Sequence, residues 1–443
     1  MGTKKSQSKR ASSETPGPDP KLPERPSEHS YIVGQRQVQF LHDHRGSIPY
    51  VDAVKKIDLI DVDATQLDVI GELLLEYPNV KSVQIAPVYH TGRDAISEHD
   101  IGKVLHTDFL AGLDTLETVF FGNSNPSKDW LHSPRVTSVD FDCVSRLPHL
   151  KRIIIQGSRN LRYLDLSPLS RLQTLEEVQV RLYFGMSMLR RINLSGLNRC
   201  PSLKGMYIEA HCLDGLDLSR LDGSPSLREL NISGLTTLVS EDWNVYLDKD
   251  NTDIITTPID SPEKMIDMKI PWCENLQRVI IGPNAQSTAL LLPSRVKTID
   301  LTNVEHDTNI RTLWINNQGI TELDLSPFQG HQSLSSFALS FTPNLSELDL
   351  SPLLPMRHRL HVSLDSVQRK QAYDLSYRKF YDIVGKPITY RASRDVQMFY
   401  PEFKANMLVT RPRPYIRGRD YPHPGQSGVI ELYSSAETEI EWY

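Results

Sequence analysis

Residues 161–180 read LRYLDLSPLSRLQTLEEVQV, and the rest of the chain is organised around this stretch. Two apolar runs of the form L-x-x-L-x-L lie in it, Leu161/Leu164/Leu166 and Leu175/Val178/Val180, joined by Asp165, Ser167 and Pro168. Close relatives recur as INLSGLNRCPSLKGMYI, LDLSRLDGSPSLRELNI, IDLTNVEHDTNIRTLWI and LDLSPFQGHQSLSSFAL. The second run ends at Phe121, Ile155, Val180, Ile208, Ile232, Ile281, Ile315 and Leu339, with gaps such as 180 − 155 = 25, 208 − 180 = 28 and 339 − 315 = 24. From each D-L leucine to the next run end the gap is often 14, as in 180 − 166, 232 − 218 and 339 − 325. Such a recurrence is an internal repeat, and a period in the twenties belongs to a stacked architecture.

The repeat dictates its own geometry. In L-x-x-L-x-L the last two apolar positions point to one side of an extended chain and the residue between them to the other. Adjacent repeats then pair as parallel strands with leucines inside, each fully buried leucine contributing roughly 1.5 to 3 kcal/mol. Ser167-Pro168, Ser326-Pro327 and Ser351-Pro352 fit a helix N-cap followed by proline at the first helical position, so the opposite side is read as short helical turns. Those turns need more width than strands about 4.8 Å apart, so the stack curves with its strands on the concave face.

Ile310, Leu313 and Ile315, followed by Asn316, Asn317 and Ile320, read as a strand and an asparagine turn. With the I-D-L-S-P-L units they resemble the short-repeat class of the leucine-rich repeat family, and clear matches run from Leu116 to Leu353. The resemblance implies an α/β solenoid, a curved stack with a parallel concave sheet and short helical turns on the convex side. It also implies that function lies on residues pointing outward from the strands. Those middle positions are Phe120, Ile154, Gln179, Tyr207, Asn231, Ile280 and Trp314, with aromatics of the kind that anchor protein interfaces. Charges of both signs flank them at Arg152, Glu177, Lys204, Arg228, Arg278 and Arg311, with Lys151, Glu176 and Glu229 nearby, suited to orienting a partner.

Residues 1–30 carry almost nothing apolar to bury and read as a disordered tail. Residues 31–53 read as an N-terminal cap, in which YIVGQRQVQFL suggests a strand or small hairpin. The repeats occupy 54–353, with helical spacing at Leu67, Ile70, Leu73 and Leu74, a further helix expected within Ile96 to Leu113, and a polar insertion near 236–260. Residues 354–443 form a basic, aromatic C-terminal cap and extended tail, with a helix expected over Ser366 to Val384, ended by Gly385 and Pro387. Arg411, Arg413 and Arg417 there offer an anionic contact, and the region supports a second reading, nucleic-acid binding by stacking and phosphate contact.

A net charge of -6 and a pI near 6.2 argue against a whole-chain nucleic-acid binder. No apolar run approaches the roughly 18 residues of a membrane span, and MGTKKSQSKR is followed by no hydrophobic segment. The expectation is a soluble, monomeric, cytoplasmic protein with no membrane attachment. Four cysteines, Cys143, Cys200, Cys212 and Cys273, show no C-x-x-C spacing and read as buried thiols. Asp58, Asp140, Asp165, Asp217, Asp267, Asp300, Asp324 and Asp349 recur at one repeat position, where Asn193 replaces one member. Without dense glycine they read as turn formers bonding nearby N–H groups, so no metal is expected. His42 and His44 lack further ligands, and the acceptor-like Asn193, Asn231 and Asn344 arise from the repeat itself. No phosphate loop, nucleophile elbow or H-E-x-x-H is present. The expectation is a non-catalytic scaffold without cofactor that binds an unidentified protein partner; regulation of an enzyme such as a small GTPase is a third reading.

Overall fold

A computed structural model describes residues 51–63, 66–88, 103–122, 136–156, 161–182, 189–210, 213–233, 266–282, 296–306, 309–316, 320–329 and 331–340, with shorter pieces before 51 and after 340. Its dominant feature is one 13-stranded sheet. From the strand Ser30–Gly34 to the strand Ile430–Tyr433, the described pairings within it are all parallel. Inward positions form two apolar rows. Val83, Val119, Ile153, Val178, Met206, Leu230, Val279, Leu313 and Phe337 make one, and Ile85, Phe121, Ile155, Val180, Ile208, Ile232, Ile281, Ile315 and Leu339 the other, all of them buried. These are the last two apolar positions of each repeat, so the period-two geometry of a strand places the core on one side of the sheet.

The convex side is built from 3-10 turns, among them Val144–Arg146, Ser167–Arg171, Leu197–Arg199, Leu218–Leu221, Thr302–His306 and Ser326–Phe328. Leu166, Leu169, Leu194, Leu197, Leu218 and Leu221 are buried here, completing the core against the sheet. The turns curve the stack away from its strands. Ahead of several turns, short strands pair in twos: Lys103–Leu105 with Val136–Val139, Tyr163–Asp165 with Arg191–Asn193, and Ile266–Lys269 with Val296–Asp300.

The recurring aspartates start these turns. Oδ1 of Asp140, Asp165, Asp217, Asp300 and Asp324 accepts the N–H two residues on, at 2.8 to 3.2 Å. Asn193 does the same for Ser195 at 3.0 Å, because the turn needs an acceptor and no charge. The expected Ser-Pro caps are corrected here. At Ser167–Arg171 and Ser326–Phe328 the N-cap residues are Leu166 and Leu325, with no side-chain cap; the preceding aspartate supplies the oxygen. Asp58 is corrected too: it lies within the strand Lys56–Asp63 of the main sheet, paired with Gln84, and starts no turn.

Four further expectations fare differently. The helix Leu67–Leu74 is present and buries Ile70, Leu73 and Leu74. Within Ile96 to Leu113 the described chain is a strand, Lys103–Leu105, and a 3-10 turn, Asp108–Leu110, because the apolar residues there serve two elements of a repeat. In place of a helix over Ser366 to Val384, strands Ala372–Asp374 and Lys379–Tyr381 pair antiparallel, as closely spaced aromatics also favour. At the N-terminal end the expected strand is present at Ser30–Gly34, and among the described residues after it Val38, Phe40 and Leu41 are helical. Val38 and Leu41 bury one helical face, and His44 Nδ1 donates to the Phe40 carbonyl at 2.8 Å. Residues 1–29, His42 and the insertion near 236–260 lie outside the described residues.

The edge at which the strands begin is locked by a regular backbone ladder. The carbonyl of Lys81 accepts from the N–H groups of both Glu117 and Thr118. Glu117, Lys151, Glu176, Lys204, Arg228, Gln277 and Arg311 each take two N–H groups from the next repeat in the same way. Cys200 and Cys273 are buried behind the sheet, their thiols donating to the carbonyls of Leu169 and Leu221 at 3.4 and 3.2 Å. Burial pushes the Cys200 thiol up to about 11, and Cys143 is buried as well; Cys212 lies outside the described residues.

Candidate functional site

The outward middle positions of the strands form one continuous row. Asp58, Gln84, Phe120, Ile154, Gln179, Tyr207, Asn231, Ile280, Trp314 and Ala338 are successive register partners. All seven middle residues expected from the sequence therefore sit on one face. Their exposure differs from expectation. Phe120, Ile154, Gln179, Tyr207 and Asn231 are half-buried, whereas Ile280 and Trp314 are 3% and 8% exposed and form a small cluster with Ala338. Trp314 is thus a packed residue and no open anchor.

A chain of polar contacts crosses this face from Tyr207 to Ser336. The Tyr207 hydroxyl donates to Glu229 Oε2 at 2.7 Å. Arg278 Nη1 lies 3.2 Å from Glu229 Oε1, and the Arg278 guanidinium stands 5.3 Å over the Trp314 ring. Trp314 Nε1 donates to Ser336 Oγ at 3.0 Å. Burial pushes the Tyr207 phenol above its ordinary value, and the bond to Glu229 adds to the shift. One carboxylate thus holds an aromatic hydroxyl and a guanidinium, and the guanidinium stacks on the next aromatic.

Gly205, absent from the residues singled out by sequence, makes this possible. A Cβ at Gly205 would lie 2.8 Å from Tyr207 Cε2, so the ring lies over its own strand because no side chain opposes it. Glycine inside an otherwise regular strand is the signal that marks such a close approach.

At the locked edge, side chains form ion pairs. Glu117 Oε1 and Oε2 lie 2.5 and 2.9 Å from Lys81 and Lys151, whose hydrogen bonds bring the carboxyl down to about 2. Glu176 and Lys204 are 3.1 Å apart, and Gln179 bonds Glu177. Arg152, Arg228 and Arg311 are exposed, and none of the described ion pairs includes them. Among the described residues no three His, Cys, Asp or Glu side chains gather as a metal would require, and no helix is long and apolar enough to cross a membrane. Arg411, Arg413 and Arg417 lie outside the described residues.

Parallel strands in one unbroken register, each sending the same two apolar positions inward, are the decisive observation. The fold is a leucine-rich repeat solenoid. No protein-family model matches the chain, and no curated protein matches it in sequence. Solved structures similar to this solenoid include TLR13 in a complex with ssRNA13, at 14% identity and a TM-score of 0.44 over 77% of this chain and 44% of that one. The APL1 leucine-rich repeat domain is similar at 12% identity and a TM-score of 0.37, over 86% of this chain and 91% of that one. Toll with Spatzle, from Drosophila, gives 13% identity and a TM-score of 0.31 over 80% and 51%. At such identities the likeness concerns the fold alone.

Proposed function

We propose that the solenoid, residues 54–353, is a non-catalytic interaction module that binds another protein on its concave face. The observation carrying this reading is the row from Phe120 to Asn231, half-buried apolar and amide side chains bordered by charges of both signs. An interface of this kind uses partly exposed aromatics as anchors and charged neighbours for orientation. Gly205 and Glu229 fix the Tyr207 ring before any partner arrives, which lowers the ordering cost of association.

The test is capture of partners from an extract of the source cells on immobilised full-length chain, followed by calorimetry with the purified partner. Phe120→Ser/Ile154→Ser is expected to weaken binding at least tenfold, about 1.4 kcal/mol, with unchanged circular dichroism. Trp272→Ser, on the convex side and 45% exposed, is the control. A partner lost on Trp272→Ser and retained by the concave variant would overturn the proposal.

A further inference from the structure

The two halves of the concave face differ in charge. Along the strands Thr118–Phe121, Arg152–Gln156 and Glu177–Arg181 the edge carries Lys151 and Arg152 beside Glu117, Glu176 and Glu177, so the carboxylates outnumber the cations by one. From the strand Glu229–Ser233 to the strand Thr312–Asn316 it carries Arg228, Arg278 and Arg311 against Glu229 alone. Only Arg278 is paired with that carboxylate. Arg228 and Arg311 occupy the same ladder position two strands apart, with Gln277 between them, since the Gln277 N–H donates to the Arg228 carbonyl and the Arg311 N–H to the Gln277 carbonyl. Two strand spacings place their backbones roughly 10 Å apart. The ladder fixes both ends, and the Trp314 ring supports the guanidinium between them.

We propose that Arg228, Arg278 and Arg311 form the docking site for an acidic, extended segment of the partner protein. This deepens the concave-face reading and rests on it. On an extended segment of the polyproline II type, carboxylates three residues apart lie on one face roughly 9 Å apart, matching the separation of the outer arginines, and each guanidinium fork suits a carboxylate. A nucleic acid fits less well. Base stacking needs open rings, while Trp314 is 8% exposed and the Tyr207 hydroxyl is engaged by Glu229.

The test uses the full chain, a fluorescently labelled hexaglutamate peptide and a labelled six-nucleotide oligothymidylate, with anisotropy read at low and at physiological salt. Hexaglutamate is expected to bind and to weaken with salt. Arg228→Glu/Arg311→Glu is expected to weaken it at least tenfold, and Arg199→Glu, exposed in the convex turn Leu197–Arg199, by less than twofold. Absence of hexaglutamate binding, equal loss on Arg199→Glu, or tighter binding of oligothymidylate would overturn the proposal. If hexaglutamate fails while Phe120→Ser/Ile154→Ser still releases the captured protein, the concave-face reading stands and the acidic segment falls. If the captured protein survives both sets of variants, both readings fall.

Discussion

Tyr207→Phe and Glu229→Ala, taken singly and together, form a thermodynamic cycle whose outcome follows from the concave network. The hydroxyl donates to a carboxylate at 2.7 Å, and a hydrogen bond to a charged group contributes about 1.5–3 kcal/mol. Glu229 retains 28% of its side-chain exposure, so solvent competition reduces this to about 1–1.5 kcal/mol for Tyr207→Phe. Glu229→Ala loses the same bond and the Arg278 pair, which at 44% exposure of the arginine adds only about 0.2–1 kcal/mol. The double variant therefore costs little more than Glu229→Ala, and the coupling is about 1 kcal/mol. Urea unfolding followed by tryptophan fluorescence and far-ultraviolet circular dichroism measures each corner. A coupling within the ~0.3–0.5 kcal/mol scatter of independent sites would refute the argument. A pH series adds a second check. Because the Tyr207 phenol is raised in the folded chain, its contribution is fully present below the ordinary value of about 10 and declines as pH rises through the folded value. The difference between wild type and Tyr207→Phe must therefore shrink in alkali.

Gly122→Ala should cost more than about 3 kcal/mol and lower soluble yield, because φ is 116° and the new Cβ would stand 1.8 Å from the Gln156 carbonyl oxygen; near-native thermal stability would contradict this. Asp165→Ala should cost about 0.5–2 kcal/mol by removing the acceptor for Ser167 N at 3.0 Å and Asn193 Nδ2 at 2.9 Å, whereas Asp165→Asn should retain most of it in the same denaturation assay. Glu117 is held down to about 2 by Lys81 and Lys151, so its stabilisation is present above the ordinary carboxyl value near 4.5 and fades as pH falls towards 2. Acid titration should show this loss in wild type, reduced in Glu117→Gln and in high salt, and an identical profile for the two chains would contradict it.

The architecture was legible because the leucine spacing serves as both a sequence pattern and a packing rule. Val178 and Val180, read as inward residues from alternation alone, are fully buried on one side of the sheet. The aspartate position was legible as a turn, yet Ile57-Asp58-Leu59 shares its letters with Ile299-Asp300-Leu301 and lies in a different strand. Three residues cannot separate the two settings, because both alternate apolar and polar side chains. Which face each middle residue occupies followed from register, but its exposure did not. Trp314 and Ile280 are buried through lateral neighbours, which lie in repeats distant in sequence. The link from Tyr207 to Glu229 depended on a missing Cβ at Gly205, a feature a leucine pattern does not register.

The two edges of the sheet differ in how they tolerate changes of chain length. From the D-L leucine to the end of the following strand the distance is mostly 14 residues, as in 208 − 194 and 315 − 301, with 281 − 268 = 13 where Met268 replaces the leucine, and this is the half that contains the doubled N–H ladder. From a strand's end to the next D-L leucine, or Met268 in its place, the distance runs from 325 − 315 = 10 to 268 − 232 = 36. One rim behaves as a keel and the other as a set of open berths. Foreign peptides spliced after Ser233 or Ile281 should ride on the stack without shifting any repeat, whereas one extra residue between Leu194 and Ile208 would have to be absorbed as a bulge in a strand held in register by both neighbours.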